Sequence, residues 1–151
     1  MSGWKNIQFL VPPLSFDIFR FHVLLPSSVP FIPGQDRLVI CGLGDQSWSL
    51  SQAVEMRREN SVQGNHQMVG SVCLKKAKVV GKVVEYKYQV LPQTGESWYE
   101  KIRPQHYRRD GIWNRVLVVP ESYKDKSFEK YDDALKKKLK TYQGPTKDLD
   151  P

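Results

Sequence analysis

Residues 83–91 read Val83-Val-Glu-Tyr-Lys-Tyr-Gln-Val-Leu91. In an extended chain, Val84, Tyr86, Tyr88 and Val90 fall on one side, and Val83, Glu85, Lys87 and Gln89 on the other. β-branched and aromatic side chains fit a pleated surface, so the stretch predicts a strand with one apolar face. Pro92-Gln-Thr-Gly95 then forms a turn, and Ser97-Trp-Tyr-Glu100 is expected to return antiparallel beside the strand. A hairpin of this kind sets an all-β expectation for the chain around it.

Working towards the N-terminus, Met68-Val-Gly-Ser-Val-Cys-Leu74 reads as a strand that leads into a basic turn at Lys75, Lys76 and Lys78. Residues Arg57 to Asn65 are polar and read as a loop. Leu50, Ala53 and Val54 recur at helical spacing and predict a short helical turn up to Met56. Arg37-Leu-Val-Ile-Cys41 has the compact apolar signature of a buried strand, stopped by Gly42 and Gly44. Phe16 to Leu25 alternates imperfectly and predicts a bulged strand, while Met1 to Pro13 reads as a lead-in. Towards the C-terminus, Trp113 to Val119 is a further strand, ended by Pro120. Phe128, Tyr131, Leu135 and Leu139 then recur at three- and four-residue steps behind a cap-like Ser127. That pattern predicts an amphipathic helix from Ser127 to Tyr142, with Asp132-Asp133 on its solvated side. The strand count predicts an antiparallel β-sandwich over residues 14–122 and a helical tail over 123–151.

The chain has 151 residues, 40% of them hydrophobic and 26% charged, which fits one globular domain. Its formal charge is +7, which admits a polyanion or an acidic surface as partner. Phe9-Leu10-Val11 is too short for a signal segment, and Asp17, Arg20 and His22 interrupt the longest early apolar run. No transmembrane segment is expected, and a cytoplasmic protein with reduced thiols is. Lys75, Lys76, Lys78 and Lys82 flank one turn, and Arg103, Arg108 and Arg109 stand with His106 and Tyr107 in another. Neither cluster matches an RNA-recognition, KH or zinc-finger signature, so nucleic acid is not assigned as a partner.

Catalytic chemistry has little to stand on. His22, His66 and His106 show no metal-ligand spacing, and a zinc site using Cys41 and Cys73 with His66 or His106 would depend on the fold gathering them. Both cysteines lie in predicted strands and read as buried thiols. There is no nucleophile elbow, P-loop or zinc-protease motif, and Gly42-Leu-Gly-Asp45 lacks the glycine and helix of a phosphate loop. No catalytic residue, metal or cofactor is assigned, and the chain is read as non-enzymatic. Trp48 and Trp98-Tyr99 are more informative, because they sit near predicted strand ends rather than inside the apolar runs. Flat rings there can pack on the C–H face of a pyranose while polar neighbours meet its hydroxyls.

The order of these segments resembles the starch-binding domain, carbohydrate-binding module family 20. The resemblance rests on Phe21-His-Val23, Leu38-Val-Ile-Cys-Gly42, Leu43-Gly44 with Trp48, Ala53 and Met56, Val84-Glu-Tyr-Lys-Tyr88, Trp98-Tyr-Glu100, Asn114-Arg115 and Val119-Pro120. It implies an immunoglobulin-like antiparallel β-sandwich and binding of an α-glucan such as starch or glycogen. Trp48 and either Trp98 or Tyr99 would be the stacking rings. Lys87 would reach sugar hydroxyls from an exposed strand face, with Glu100 and Asn114 completing the polar set. Leu43-Gly44 stands three residues from Trp48, where the family has one, and the basic insertion Lys101 to Trp113 separates Glu100 from Asn114. A second family site finds no match. Within the family, the spacing from Tyr86 to Arg115 and the tail Gly144-Pro-Thr-Lys-Asp-Leu149 are similar to the module of mysterin-type RING ubiquitin ligases, which carry AAA+ ATPase modules. That implies a targeting part of such a ligase, since two cysteines make no RING and no Walker motif is present. The alternative is a sandwich that has lost sugar binding and docks protein, nucleic acid or acidic membrane through its basic loops.

Overall fold

The computed structural model describes residues 16–43, 48, 50–100, 107–109 and 112–137. Their strands are β1 (Phe16–Leu25), β2 (Arg37–Gly42), β3 (Val54–Val62), β4 (Asn65–Lys75), β5 (Val83–Leu91), β6 (Trp98–Tyr99), β7 (Tyr107–Arg109), β8 (Ile112–Val118) and β9 (Ser127–Tyr131). A 3-10 turn at Leu50–Gln52 and a one-turn helix α1 (Lys76–Val79) are the helical pieces among them. The described chain is all-β, as its alternating runs predict. The strands run in the order β7-β8-β5-β2-β3-β4-β1-β9, with β6 also beside β5. The expected return after Pro92 is there: Val90 faces Trp98 and Gln89 faces Tyr99 in antiparallel register.

The polar stretch Arg57 to Asn65 is not a loop. Its first six residues finish β3, and Gln63 and Gly64, both at positive φ, make the two-residue turn into β4. Polar side chains suit this strand because its outer half is exposed. β3 also changes neighbours, pairing with β2 through Val54–Met56 and with β4 from Arg57 onward.

The helix expected from Ser127 is corrected in its described part. Ser127–Tyr131 is a strand that pairs in parallel with β1, from Ile18↔Ser127 to His22↔Tyr131. The apolar spacing that suggests a helix is met differently: Phe128 packs against Phe19 and Tyr123, Tyr131 stacks on His22, and Leu135 is wholly buried. The main-chain N–H of Leu135 continues the attachment by donating to Leu24 O at 2.9 Å. The Arg20 and His22 side chains meet the Glu129 carboxylate at 2.8 and 2.7 Å.

The core collects Phe19, Phe21, Val23 and Leu25 of β1, Leu38 and Ile40 of β2, Val84, Tyr86, Tyr88 and Val90 of β5, and Trp98. Strands distant in the pairing order meet there: the Phe21 and Tyr86 rings lie 5.0 Å apart, edge to face. No helix among the described residues is long and apolar enough to cross a membrane.

Candidate functional site

Cross-strand register decides which side chains share a face. Cys41 stands opposite Lys87, Val39 opposite Gln89, and Gln89 opposite Tyr99. Directly opposed residues point the same way, so Val39, Cys41, Lys87, Gln89 and Tyr99 lie together on the face of β5 turned from the main core. Val39, Cys41 and Tyr99 form a second apolar cluster, and Trp48, Ala53 and Leu91 pack on it. The Lys87 ammonium lies 5.9 Å from the centre of the Tyr99 ring. Asn114 joins from β8, where its Nδ2 donates to Glu85 Oε1 at 3.0 Å.

Trp48 owes its seat to a glycine. Gly42 has φ +102°, and a Cβ there would stand 2.7 Å from Glu85 O and 3.1 Å from the Trp48 ring. Without that atom the indole packs against the strand end, half-buried.

Three corrections follow for the residues that sequence reasoning selects. Lys87 is expected on an exposed face, yet it is completely buried, because the face opposite the core carries its own apolar cover. Trp98 and Glu100 do not share that face with Trp48. Trp98 sits in the main core at 4% exposure, with the Lys137 ammonium 5.3 Å from its ring, and Glu100 is fully buried. Of the adjacent pair, Tyr99 is the ring that lies beside Trp48 and Lys87. Cys73, expected to be buried, is exposed on β4, while Cys41 is buried as expected. Residues 101–106 and 110–111 of the basic insertion, with His106, fall outside the described residues. Among the described residues no three His, Cys, Asp or Glu side chains gather as metal ligands.

Set against known proteins, the chain matches no family model, no curated protein and no solved structure.

The thiol and the phenol of the second face are neutral groups. Burial pushes the Cys41 thiol up to about 11, against an opposing effect of its Tyr99 hydrogen bond. Burial, with Cys41 beside it, raises the Tyr99 phenol to about 12. Both remain protonated near neutrality and can serve as hydrogen-bonding groups, not as nucleophiles.

Behind that face lies a polar cluster that sequence reasoning misses. Arg115 grips Glu100 with two nitrogens, Nε at 2.9 Å from Oε2 and Nη2 at 2.7 Å from Oε1. Glu100 Oε2 also accepts the Tyr88 main-chain N–H at 2.9 Å. The Asp132 carboxylate accepts the hydroxyls of Tyr86 and Tyr88 and the Lys130 ammonium, each at 2.8 Å. Arg115 also binds Asp133. The acid pair Asp132-Asp133, expected on a solvated helix surface, is thus divided: the Asp132 side chain is 2% exposed and that of Asp133 53%. The only early sign is the coincidence of Tyr86 and Tyr88 on the apolar face of β5, where buried hydroxyls need acceptors.

Proposed function

We propose that this chain is a non-catalytic carbohydrate-binding module whose ligand is an α-glucan such as glycogen or starch. The observation that carries the reading is the convergence of Trp48, Tyr99 and Lys87 on one sheet face. A half-buried indole at the rim offers its flat surface to the C–H face of a glucose ring, with Tyr99 as the floor beside it. Asn114 and Lys87 are the polar groups on the same side, and both are buried beneath the surface that a sugar would meet. Trp98 and Glu100 act from behind: one packs the core under β5, and the other fixes Arg115 and the Tyr88 main chain. Each stacked ring contributes on the order of 1 kcal/mol, so affinity for a short glucan is weak and gains from many repeats of the polymer.

The architecture in this reading is an immunoglobulin-like antiparallel sandwich of the starch-binding type, one layer carrying β1, β4 and β9 and the other β2, β5, β6 and β8. The Phe21–Tyr86 contact between β1 and β5 supports it, because those strands are not neighbours in the pairing order. The module would target a mysterin-like ubiquitin ligase to glycogen.

Retardation in a native gel containing glycogen tests the binding. The protein is expected to be retarded and Trp48→Ala to run free, with β-cyclodextrin releasing the wild type. No retardation of the wild type ends the glucan reading. A second reading, a sandwich that docks a macromolecule and has lost sugar binding, is favoured by the burial of Lys87 and by the 4% exposure of Tyr99. Salt separates the two: stacking on a neutral glucan is nearly indifferent to ionic strength, whereas docking of a polyanion weakens steeply.

A further inference from the structure

The change of neighbours along β3 leaves an edge. Val54–Met56 lie against β2, but from Arg57 to Val62 the strand pairs only with β4. Among the described residues no strand lies on the other side of Glu59–Val62, and all six residues from Arg57 to Val62 are exposed. Val62 and Asn65 flank the two-residue turn as a pair. Ladder alternation therefore turns the Ser61 N–H away from β4. It finds only a local acceptor, the Oδ1 of Asn60 at 2.8 Å.

Where β3 leaves β2, a groove of about 380 Å³ opens, with Phe31, Met56 and Met68 in its lining and Arg37, Arg57 and Arg58 around it. The acids of the groove, Asp36 and Glu55, are already engaged, and on the edge itself the exposed Glu59 stands against two arginines. Glu55 holds Arg37 at 2.7 Å, and Asp36 accepts the main-chain N–H groups of Ile32 and Gln93 at 2.8 and 2.9 Å. Arg57 and Arg58 make no ion pair or hydrogen bond among the described residues. Consecutive strand residues point to opposite faces, so these two guanidinium groups flank the edge from both sides. A bulge between Arg58 and Asn60 breaks the register. Charge and bulge together reject a flat apolar strand. They leave an attractive place for a strand of the opposite charge.

We propose that the Arg57–Val62 edge binds an extended acidic peptide segment as an added strand. Its main chain pairs at Ser61, its carboxylates alternate onto Arg57 and Arg58, and an apolar side chain enters the groove beside Phe31 and Met56. This site is separate from Trp48 and Tyr99 and does not depend on glucan binding.

Fluorescence anisotropy with the full chain and a labelled peptide of Glu-Glu-Val repeats, which puts carboxylates on both faces of an added strand, tests it, with a Lys-Lys-Val peptide as control. The acidic peptide is expected to bind and the basic one not. Arg57→Glu with Arg58→Glu should weaken binding by about tenfold or more. Ser61→Pro removes the outward N–H without touching a bond to β4, and should also weaken it. In the wild type, the peptide should slow hydrogen exchange of the Ser61 amide, a readout that stands even if the proline variant fails to fold. Absence of binding overturns the proposal. So does an unprotected Ser61 amide with peptide bound, which means ion exchange alone. Self-association through this edge, seen by sedimentation and abolished by Ser61→Pro, overturns it in favour of a second copy as occupant.

Discussion

Arg115 and Glu100 form a two-nitrogen ion pair in which the guanidinium side chain is 4% exposed and the carboxylate side chain 0%. Burial by itself would lower the affinity of Arg115 for its proton, but the Glu100 charge and hydrogen bonds, with Asp132 and Asp133, hold it above its ordinary range. The pair joins the residue after β6 to β8, and through Asp132 and Asp133 it fastens the segment after β9. Removing one partner of such a pair leaves an uncompensated buried charge. Arg115→Ala is therefore expected to lose about 3–5 kcal/mol in urea denaturation. Arg115→Lys should recover only part of it, because an ammonium cannot reproduce the fork. An Arg115→Ala protein as stable as wild type would show that the pair contributes nothing net.

Alkali should unfold the protein through its phenols. Burial first, and then the Asp132 charge, raise Tyr86 and Tyr88 well above 10, and burial takes Tyr99 to about 12. The folded state holds these protons more tightly than the unfolded chain, so their stabilisation is complete below pH 10 and is lost as pH rises through the folded values. Denaturation midpoints should fall steadily above pH 10. Phenolate absorbance should show Tyr86, Tyr88 and Tyr99 titrating only with unfolding, and early titration of all seven tyrosines would contradict this.

Acid acts at the β1–β9 junction. The His22 hydrogen bond first, and the Arg20 hydrogen bond and charge with it, hold Glu129 below the ordinary 4.5 against a smaller effect of burial. Its contribution is present above that value and disappears as pH falls through the lower folded value. Glu129→Gln should flatten the acid limb of the stability profile. An unchanged acid limb in that variant would remove Glu129 from the account.

Gly42→Ala should cost about 1–3 kcal/mol, since the residue is at φ +102° and its new methyl would meet Glu85 O. The same methyl would also displace the Trp48 ring, so tryptophan emission and glycogen retardation are expected to change together. Loss of stability with unchanged retardation would detach Trp48 from sugar binding.

Adjacent rings on β6 should behave differently. Trp98→Ala is expected to lose about 3–5 kcal/mol because it empties the core, whereas Trp98→Phe should still bind glycogen. Tyr99→Ala should lose retardation while it remains folded by circular dichroism. Retention of full glycogen binding by Tyr99→Ala would argue against the second ring.

Much of the sheet is legible along the chain. Alternation in Val83–Leu91 and the turn at Pro92–Gly95 encode β5 and the return of β6, because both depend on neighbours in sequence. β9 is not legible in that way. Phe128, Tyr131 and Leu135 fit a helical stripe, and only the hydrogen bonds of β1, more than a hundred residues earlier, make the strand the better state. Arg57 to Asn65 misleads for a related reason: exposed polar residues suit a loop and an edge strand alike. The candidate site is half legible. Aromatic residues near strand ends indicate Trp48 and the Trp98-Tyr99 pair, but their facing is set by register.

The sequence by itself determined an all-β chain, the pleat of β5, the turn that brings β6 back, and the apolar side of each, since those follow from a period of two and local turn chemistry. Only the tertiary structure decided that Lys87 is buried beside Tyr99, that Glu100 answers Arg115, and that the chain after Tyr123 closes the sheet as a strand. Those outcomes depend on which distant main-chain and charged groups find each other once water is excluded, and no local pattern specifies that.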